Sequence, residues 1–297
     1  MNQPREKETD AEDVRRQSEE MKRAFDQQAQ RLGLGDLTHY FWYHTIDLGN
    51  GLVTPGTYDF RNALASYAFP EALNGKRALD VGSATGFFAF ELEKRGSDVT
   101  SVEVPSMAEL DIFPGETVDD VMRKMENVFP VHTVYTPEQM DFLFHKCSRH
   151  EFYHYFLDGP FLLCKRVLKS KVKRTYLTIY ELPNGFPARA FDVVFLGDVL
   201  LHTIDPLKAL AAAAKVCGGT LIIAQNMSCE PADAPAMHYV GGSKRGEGIS
   251  WWFPNYSCLE QLLLKLGFKD VHIAGKHASL VKPAGHYYHS VVIHAQR

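Results

Sequence analysis

Asp80, Gly82, Gly86 and Glu103 are the residues whose types and spacing could do chemistry together. Three of them lie in Ala78-Leu-Asp-Val-Gly-Ser-Ala-Thr-Gly86, an apolar run that enters a glycine turn. Gly82 permits the tight turn, and Gly86 lets a following helix begin close to a ligand. The free N–H groups at such a helix start favour an electron-rich or anionic group, with Ser83 and Thr85 completing the loop around it. Asp80, just before the turn, can meet a cationic amine. Glu103 follows about twenty residues on, where a carboxylate can accept both hydroxyls of a ribose. Together they describe a nucleoside site at the carboxyl ends of adjacent strands. A dinucleotide loop reads G-x-G-x-x-G, and its middle glycine makes room for a pyrophosphate. Here that position is Ala84. The turn suits a nucleoside without a pyrophosphate and disfavours a nicotinamide oxidoreductase.

Strands and helices must alternate to hold that site. The pattern predicts strands at Ala78–Val81, Val99–Val104, Tyr176–Ile179, Phe191–Leu196 and Leu221–Ala224, with Val271–Ala274 and Ser290–Ala295 closing it. Helices are predicted after the glycine turn to about Lys94, at Pro206–Val216 ended by Gly218-Gly219, and at Tyr256–Leu266 ended by Gly267. Such alternation gives an α/β fold with a mostly parallel, Rossmann-like sheet covered on both faces. Upstream, Ala11–Leu32 reads as an amphipathic helix with Val14, Met21, Phe25 and Leu32 on one face. Residues 1–10 read as disordered, and 34–74 as an aromatic, glycine-punctuated loop region. Residues 1–74 are therefore expected to form an N-terminal extension, and 75–297 the sheet domain. An insertion of about 105–173 interrupts the domain after the second strand. It is read as an irregular acidic part followed by helices near Thr136–Cys147 and Gly159–Leu168.

Composition narrows the function classes. The formal charge of −4 lacks the basic excess of a protein that grips nucleic-acid phosphates. The densest basic run, Lys165–Arg174, reads as a solvated helix end and linker. No apolar run reaches the roughly 20 residues of a membrane helix, and the polar N-terminus has no secretory h-region. The five cysteines, Cys229 among them, are scattered without a C-x-x-C, as expected of free thiols in a cytoplasmic protein.

These stretches resemble a class I S-adenosylmethionine-dependent methyltransferase. Phe191-Asp-Val-Val-Phe-Leu-Gly-Asp198 is similar to that family's fourth strand, which implicates Gly197 in cofactor binding. Thr178-Ile-Tyr-Glu-Leu-Pro183 is similar to the turn that flanks the adenine, which implicates Ile179 and Tyr180. Trp42–Gly56, Val199–Leu210 and Trp251-Trp-Phe-Pro254 resemble the tRNA wobble-uridine (methoxyuridine and oxyacetic acid) methyltransferases, which act on an oxygen at position 5 of uridine. The resemblance implies S-adenosyl-L-methionine as cofactor. Leu201 stands where wobble-uridine members usually carry a tyrosine, which argues for ordinary S-adenosylmethionine rather than its carboxylated form. Ala84 replaces a family glycine, a change tolerated if no positive φ is needed there.

Methyl transfer from a sulfonium is an in-line displacement, so alignment supplies much of the acceleration. A hydroxyl acceptor also benefits from a base. His202, beyond the fourth strand, is the first expectation, and His44 the second. A loop-pinning histidine and a buried structural histidine are the plain alternatives. Tyr43, Trp251, Trp252 and His286 are the expected acceptor-binding residues. His145, His150 and His154 have spacings that zinc sites use, but no carboxylate–histidine signature completes a site and the reaction needs no metal. The expected acceptor is a small molecule or sugar. A tRNA acceptor and a non-catalytic binding protein are the alternatives, the former disfavoured by the charge balance and Leu201.

Overall fold

A computed structural model describes residues 11–227, 234–244 and 247–297. Residues 1–10 and Cys229 lie outside the described residues, so the expectations about them do too. Helix α1 (Ala11–Arg31) buries Val14, Ser18, Phe25 and Ala29 on one stripe. Leu32, expected on that stripe, is exposed, because the helix has ended at Arg31. The strand–helix pattern then opens with β1 (Arg77–Val81), α2 (Phe87–Lys94) and β2 (Asp98–Glu103).

The insertion is more helical than expected. Its acidic part contains α3 (Val118–His132), started by a capping box between Thr117 and Asp120. It continues through α4 (Pro137–Asp141), α5 (Arg149–Tyr153) and α6 (Gly159–Leu168). Single π-type turns at Phe142–Lys146 and His154–Asp158 join these short helices.

β3 (Lys173–Tyr176) lies earlier than the predicted third strand. Ile179–Glu181 is instead a tight turn leading to α7 (Leu182–Gly185). Then come β4 (Phe191–Gly197), α8 (Pro206–Val216) and β5 (Cys217–Gln225). Gly218 and Gly219 sit within β5 rather than ending a helix, since an added Cβ at either would strike the carbonyl oxygens of Arg189 or Asp192. β6 (Met237–Tyr239) pairs with β7 (Trp252–Pro254), and α9 (Tyr256–Lys265) precedes the hairpin β8 (Asp270–Val281) and β9 (His286–Gln296).

Among the described residues, the main sheet has seven strands in the order β3-β2-β1-β4-β5-β9-β8. The first five are parallel, and β9 runs antiparallel to β5. The Rossmann-like expectation is met. One sheet face packs on α2, α6 and the N-terminal segment, through Phe25, Trp42, Phe88 and Phe161. The other packs on α8 and α9, through Leu210, Ala213, Leu259 and Leu263. Burial on both faces explains why β1 and β4 read as nearly continuous apolar runs. A third cluster, of insertion residues Phe129, Leu143, Phe152 and Leu157, includes Phe41 and Ala84. The insertion is thereby seated against the glycine loop.

Candidate active site

The loop after β1 is built from left-handed residues. Gly82 has φ +67° and Gly86 +93°. A Cβ on Gly82 would lie 2.8 Å from a Val199 methyl, and one on Gly86 would lie 2.7 Å from the Phe90 ring. Gly86 thus serves close packing of α2 as well as the turn. Ala84 also adopts a positive φ, +46°. The condition under which alanine would be tolerated without cost is not met: it holds a conformation that disfavours a Cβ. Its neighbours fasten it there. The Ala84 N–H donates to Glu103 Oε2 at 2.9 Å, and its carbonyl accepts from Arg174 at 3.2 Å.

Arg174 closes the expected solvated basic run, yet its side chain is buried. Its guanidinium lies 4.1 Å from the Phe161 ring centroid and donates to the Ser83 hydroxyl at 2.7 Å.

Two carboxylates face this loop. Glu103 accepts the Ala84 and Val104 N–H groups, one on each oxygen. Asp80 is 1% exposed, and its Oδ2 has no hydrogen-bond partner. Burial, followed by the nearby Glu103 charge, pushes the Asp80 carboxyl up to about 8. A buried carboxyl with an orphan oxygen is matched to a cationic ligand group, which would restore its ionised form.

At the neighbouring strand end, Val81 is in register with Leu196, so the continuing chains bring Gly197 and Asp198 beside Gly82. Asp198 has φ +53°. The Tyr288 hydroxyl from β9 donates to its carboxylate, and the Asn226 N–H donates to that hydroxyl at 2.9 Å. Tyr43 and Tyr58 lie close by, with ring centroids 4.7 Å apart. Burial pushes the Asp198 carboxyl up to about 7, with the Tyr288 bond opposing.

The model of a family described as a methyltransferase domain matches residues 58–273. The chain belongs to that family. Solved structures of similar fold include the N-terminal domain of EvdMO1, crystallised in the presence of SAH and D-fucose. It is 14% identical, the match covering 98% of this chain and 99% of that one with a TM-score of 0.50. The 1,6-didemethyltoxoflavin-N1-methyltransferase of Burkholderia thailandensis is 12% identical, covering 100% and 93%, with a TM-score of 0.44. The magnesium protoporphyrin IX methyltransferase of Synechocystis PCC 6803 is 13% identical, covering 80% and 76%, with a TM-score of 0.44. At these identities the likeness is one of fold. A comparison with curated proteins finds no match.

The methyltransferase takes its methyl group from S-adenosylmethionine, and its residues fit that molecule. The orphan Asp80 oxygen suits the methionine ammonium. Each Glu103 oxygen holds one loop N–H and keeps a further lone pair for a ribose hydroxyl. Ile179 is buried in the turn after β3. The neighbouring Tyr180 hydroxyl donates to Asp111 of the insertion, which also accepts the Ile204 N–H at 2.7 Å. Asp111 therefore ties the turn after β3 to the loop after β4.

The structure separates the two expected histidines. His44 is buried, and its N–H donates to Thr85 Oγ1 at 3.2 Å. That hydroxyl is then free to donate to His44 Nδ1, 3.0 Å away. Burial lowers the imidazole to about 3. His202 is half-buried beyond β4. Its Nδ1 lies 2.6 Å from the Ile249 carbonyl oxygen, which can only accept, so Nδ1 carries the proton and Nε2 the lone pair.

The expected acceptor residues are dispersed. Tyr43 lies beside Asp198. Trp251 is buried, its indole N–H donating to the Asp111 carbonyl at 3.3 Å and its own backbone N–H to Leu201. The Trp252 indole donates to the Ile204 carbonyl at 3.1 Å. His286 is exposed at the start of β9 and faces His132, with ring centroids 6.0 Å apart. Of the insertion histidines, His145 pairs with Glu126 and His154 with the Tyr40 hydroxyl. Among the described residues, no three His, Cys, Asp or Glu side chains converge as a metal site.

Sequence reasoning misses Asp198, Tyr288, Tyr58, Arg174 and Asp111. Asp198 had a signal, as a carboxylate two residues beyond a predicted strand. Tyr288 and Asp111 had none, because they reach the site from distant segments.

Proposed function

We propose that this methyltransferase transfers its methyl group to an oxygen of a small-molecule or sugar acceptor. The observation that carries the reading is the group of hydroxyls and a carboxyl at the end of β4. Asp198, Tyr288, Tyr43 and Tyr58 meet beside the glycine loop, where open α/β sheets collect their ligands. A hydroxylated acceptor would find donors and acceptors there, with ring faces to stack on. The resemblance of Trp42–Gly56 and Val199–Leu210 to oxygen-directed enzymes points the same way. So does the D-fucose present with the EvdMO1 domain.

S-adenosylmethionine, when bound, supplies an electrophilic methyl group on a sulfonium. The chain's own residues do the rest. Asp80 holds the ammonium, Glu103 the ribose hydroxyls, and the Gly82–Gly86 loop the methionine portion. Ile179 and Tyr180 border the adenine. Segment 42–56 covers the loop through His44 and excludes water. Trp251 and Trp252 wall the acceptor side through their bonds to Asp111 and Ile204. An acceptor hydroxyl must also lose its proton. Of the two expected histidines, His202 keeps a lone pair on Nε2, whereas Nδ1 of His44 is held by Thr85.

A cytoplasmic setting suits the free cysteines Cys147, Cys164, Cys217 and Cys258. Among the described residues, no helix is long and apolar enough to cross a membrane.

Radiolabelled methyl transfer to a panel of phenols, hexoses, nucleosides and tRNA tests the reading. O-methylated phenol or hexose is the expected product. Labelled tRNA, labelled nitrogen or sulfur, or cofactor binding without any transfer would overturn it.

A further inference from the structure

Asp198 has a combination of features that packing does not require. It follows β4 directly, beside Gly82 of the cofactor loop. It occupies a left-handed conformation, φ +53°, which costs a residue with a Cβ and which aspartate tolerates better than most. The strained backbone sets the carboxylate among phenols. Tyr288 donates to one carboxylate oxygen, and the Asn226 N–H orders that phenol in turn. The titratable groups that feel its charge are Tyr43 and Tyr58 of the N-terminal segment, Tyr67 of the following turn, and Tyr288 of β9. Tyr43 feels the Glu103 charge as well. The histidines packed on the surrounding rings, His44 against Tyr43 and His277 against Tyr67, supply no cation to this group. His44 and His277 are both held neutral by burial, at about 3 and about 4.

We propose that Asp198 is the base that takes the proton from the acceptor hydroxyl, with Tyr288 as the residue that positions its carboxylate. The proposal rests on the oxygen-directed reading above. In the step, the acceptor O–H bond breaks and its proton passes to the Asp198 carboxylate. The oxygen forms a bond to the methyl carbon as the S–CH3 bond breaks, and that electron pair stays on sulfur. Tyr288 holds the carboxylate through Oδ1, and in the proposed step Oδ2 takes the proton. Burial raises Asp198 to about 7, and the Tyr288 bond holds it from going higher. A base in that range is ionised at working pH and still takes a proton readily.

The decisive measurement needs no acceptor. Carbon-13 NMR of aspartate-carboxyl-labelled protein, with S-adenosylhomocysteine bound, should show a carboxyl titrating near pH 7. Asp198→Asn should remove that signal, and asparagine suits the left-handed backbone, so the fold is kept. Tyr288→Phe should move the midpoint to higher pH, because the lost bond favoured the ionised form. If the signal removed by Asp198→Asn titrates below pH 5, the proposal is wrong. With a phenol or hexose found to be methylated, Asp198→Asn should lower single-turnover transfer by about 10²–10⁴-fold. Calorimetric affinity for S-adenosylhomocysteine should stay within about threefold. Full O-methylation by Asp198→Asn with loss in His202→Ala would move the base to His202 and leave the oxygen-directed reading standing. A methyl group found on nitrogen or sulfur would sink that reading instead.

Discussion

The Nδ1 atom of His44 lies 3.0 Å from the hydroxyl of Thr85, and the His44 backbone N–H donates to the same oxygen. One side chain of the cofactor loop therefore holds both the backbone and the ring of the segment upstream of the sheet. His44→Ala removes a buried bond and opens space against Phe87 and Phe88. The variant should lose about 1–3 kcal/mol of stability in urea unfolding, and affinity for S-adenosylhomocysteine should fall with it. Burial keeps the ring neutral down to about pH 3, so the pH–rate profile should keep its shape. A limb near pH 6.5 that vanished in the variant would return His44 to the role of base.

Ala84→Gly should stabilise the protein. The left-handed conformation at φ +46° costs alanine about 1–2 kcal/mol. Glycine's greater freedom in the unfolded chain returns about 0.4–1 kcal/mol of that. A net gain of about 0.5–1 kcal/mol should appear as a higher urea midpoint at unchanged slope. A lower midpoint would mean that the Ala84 methyl, packed in the insertion's core, outweighs the strain.

Asp80 should make the cofactor-free enzyme less stable as pH rises. Its carboxyl moves from an ordinary 3.8 to about 8 on folding, through burial and the Glu103 charge. Folding thus favours the protonated form. The resulting stability is full below about pH 4 and is lost progressively as pH rises through about 8. Melting curves of the parent and Asp80→Asn should diverge across that window, by about 2–4 °C for each kcal/mol lost. S-adenosylmethionine should narrow the gap by placing its ammonium beside the carboxylate. Parallel curves from pH 4 to 8 would show that Asp80 ionises normally.

Glu103→Ala should weaken S-adenosylhomocysteine binding by about 1–3 kcal/mol in calorimetry, the range for hydrogen bonds to a charged group. The loss should exceed that of Glu103→Gln, whose amide oxygen can still accept one loop N–H. A nicotinamide dinucleotide should give no heat with the parent. Unchanged affinity in Glu103→Ala would remove this residue from the ribose.

The parts legible in the sequence share a physical cause. The glycine loop, its strand and its helix are contiguous, and local sterics dictate which residues can turn there. The central strands β1 and β4 are nearly continuous apolar runs because both faces are covered, so they can be read without knowing what covers them. Where the reading slipped, the deciding forces were local but subtle. β3 ends at Tyr176 because Thr178 and Glu181 form a reciprocal capping pair that starts a turn. α3 begins at a capping box that an acidic composition disguised as loop.

The sequence by itself determined the α/β sheet, the glycine turn between β1 and α2, and the family. Each rests on periodicity or on residues within one strand–turn–helix unit. Only the tertiary structure decided what surrounds Asp198, Asp111 and Arg174. Tyr288 meets Asp198 across ninety positions of chain, Asp111 reaches Tyr180 and Ile204 from the insertion, and Arg174 turns inward from a basic run. A carboxylate's ionisation depends on what surrounds it, and those surroundings come from segments that no local pattern links. That is why His202 stands out in the sequence, whereas the neighbours of Asp198 appear only once the hairpin β8–β9 has closed against β5.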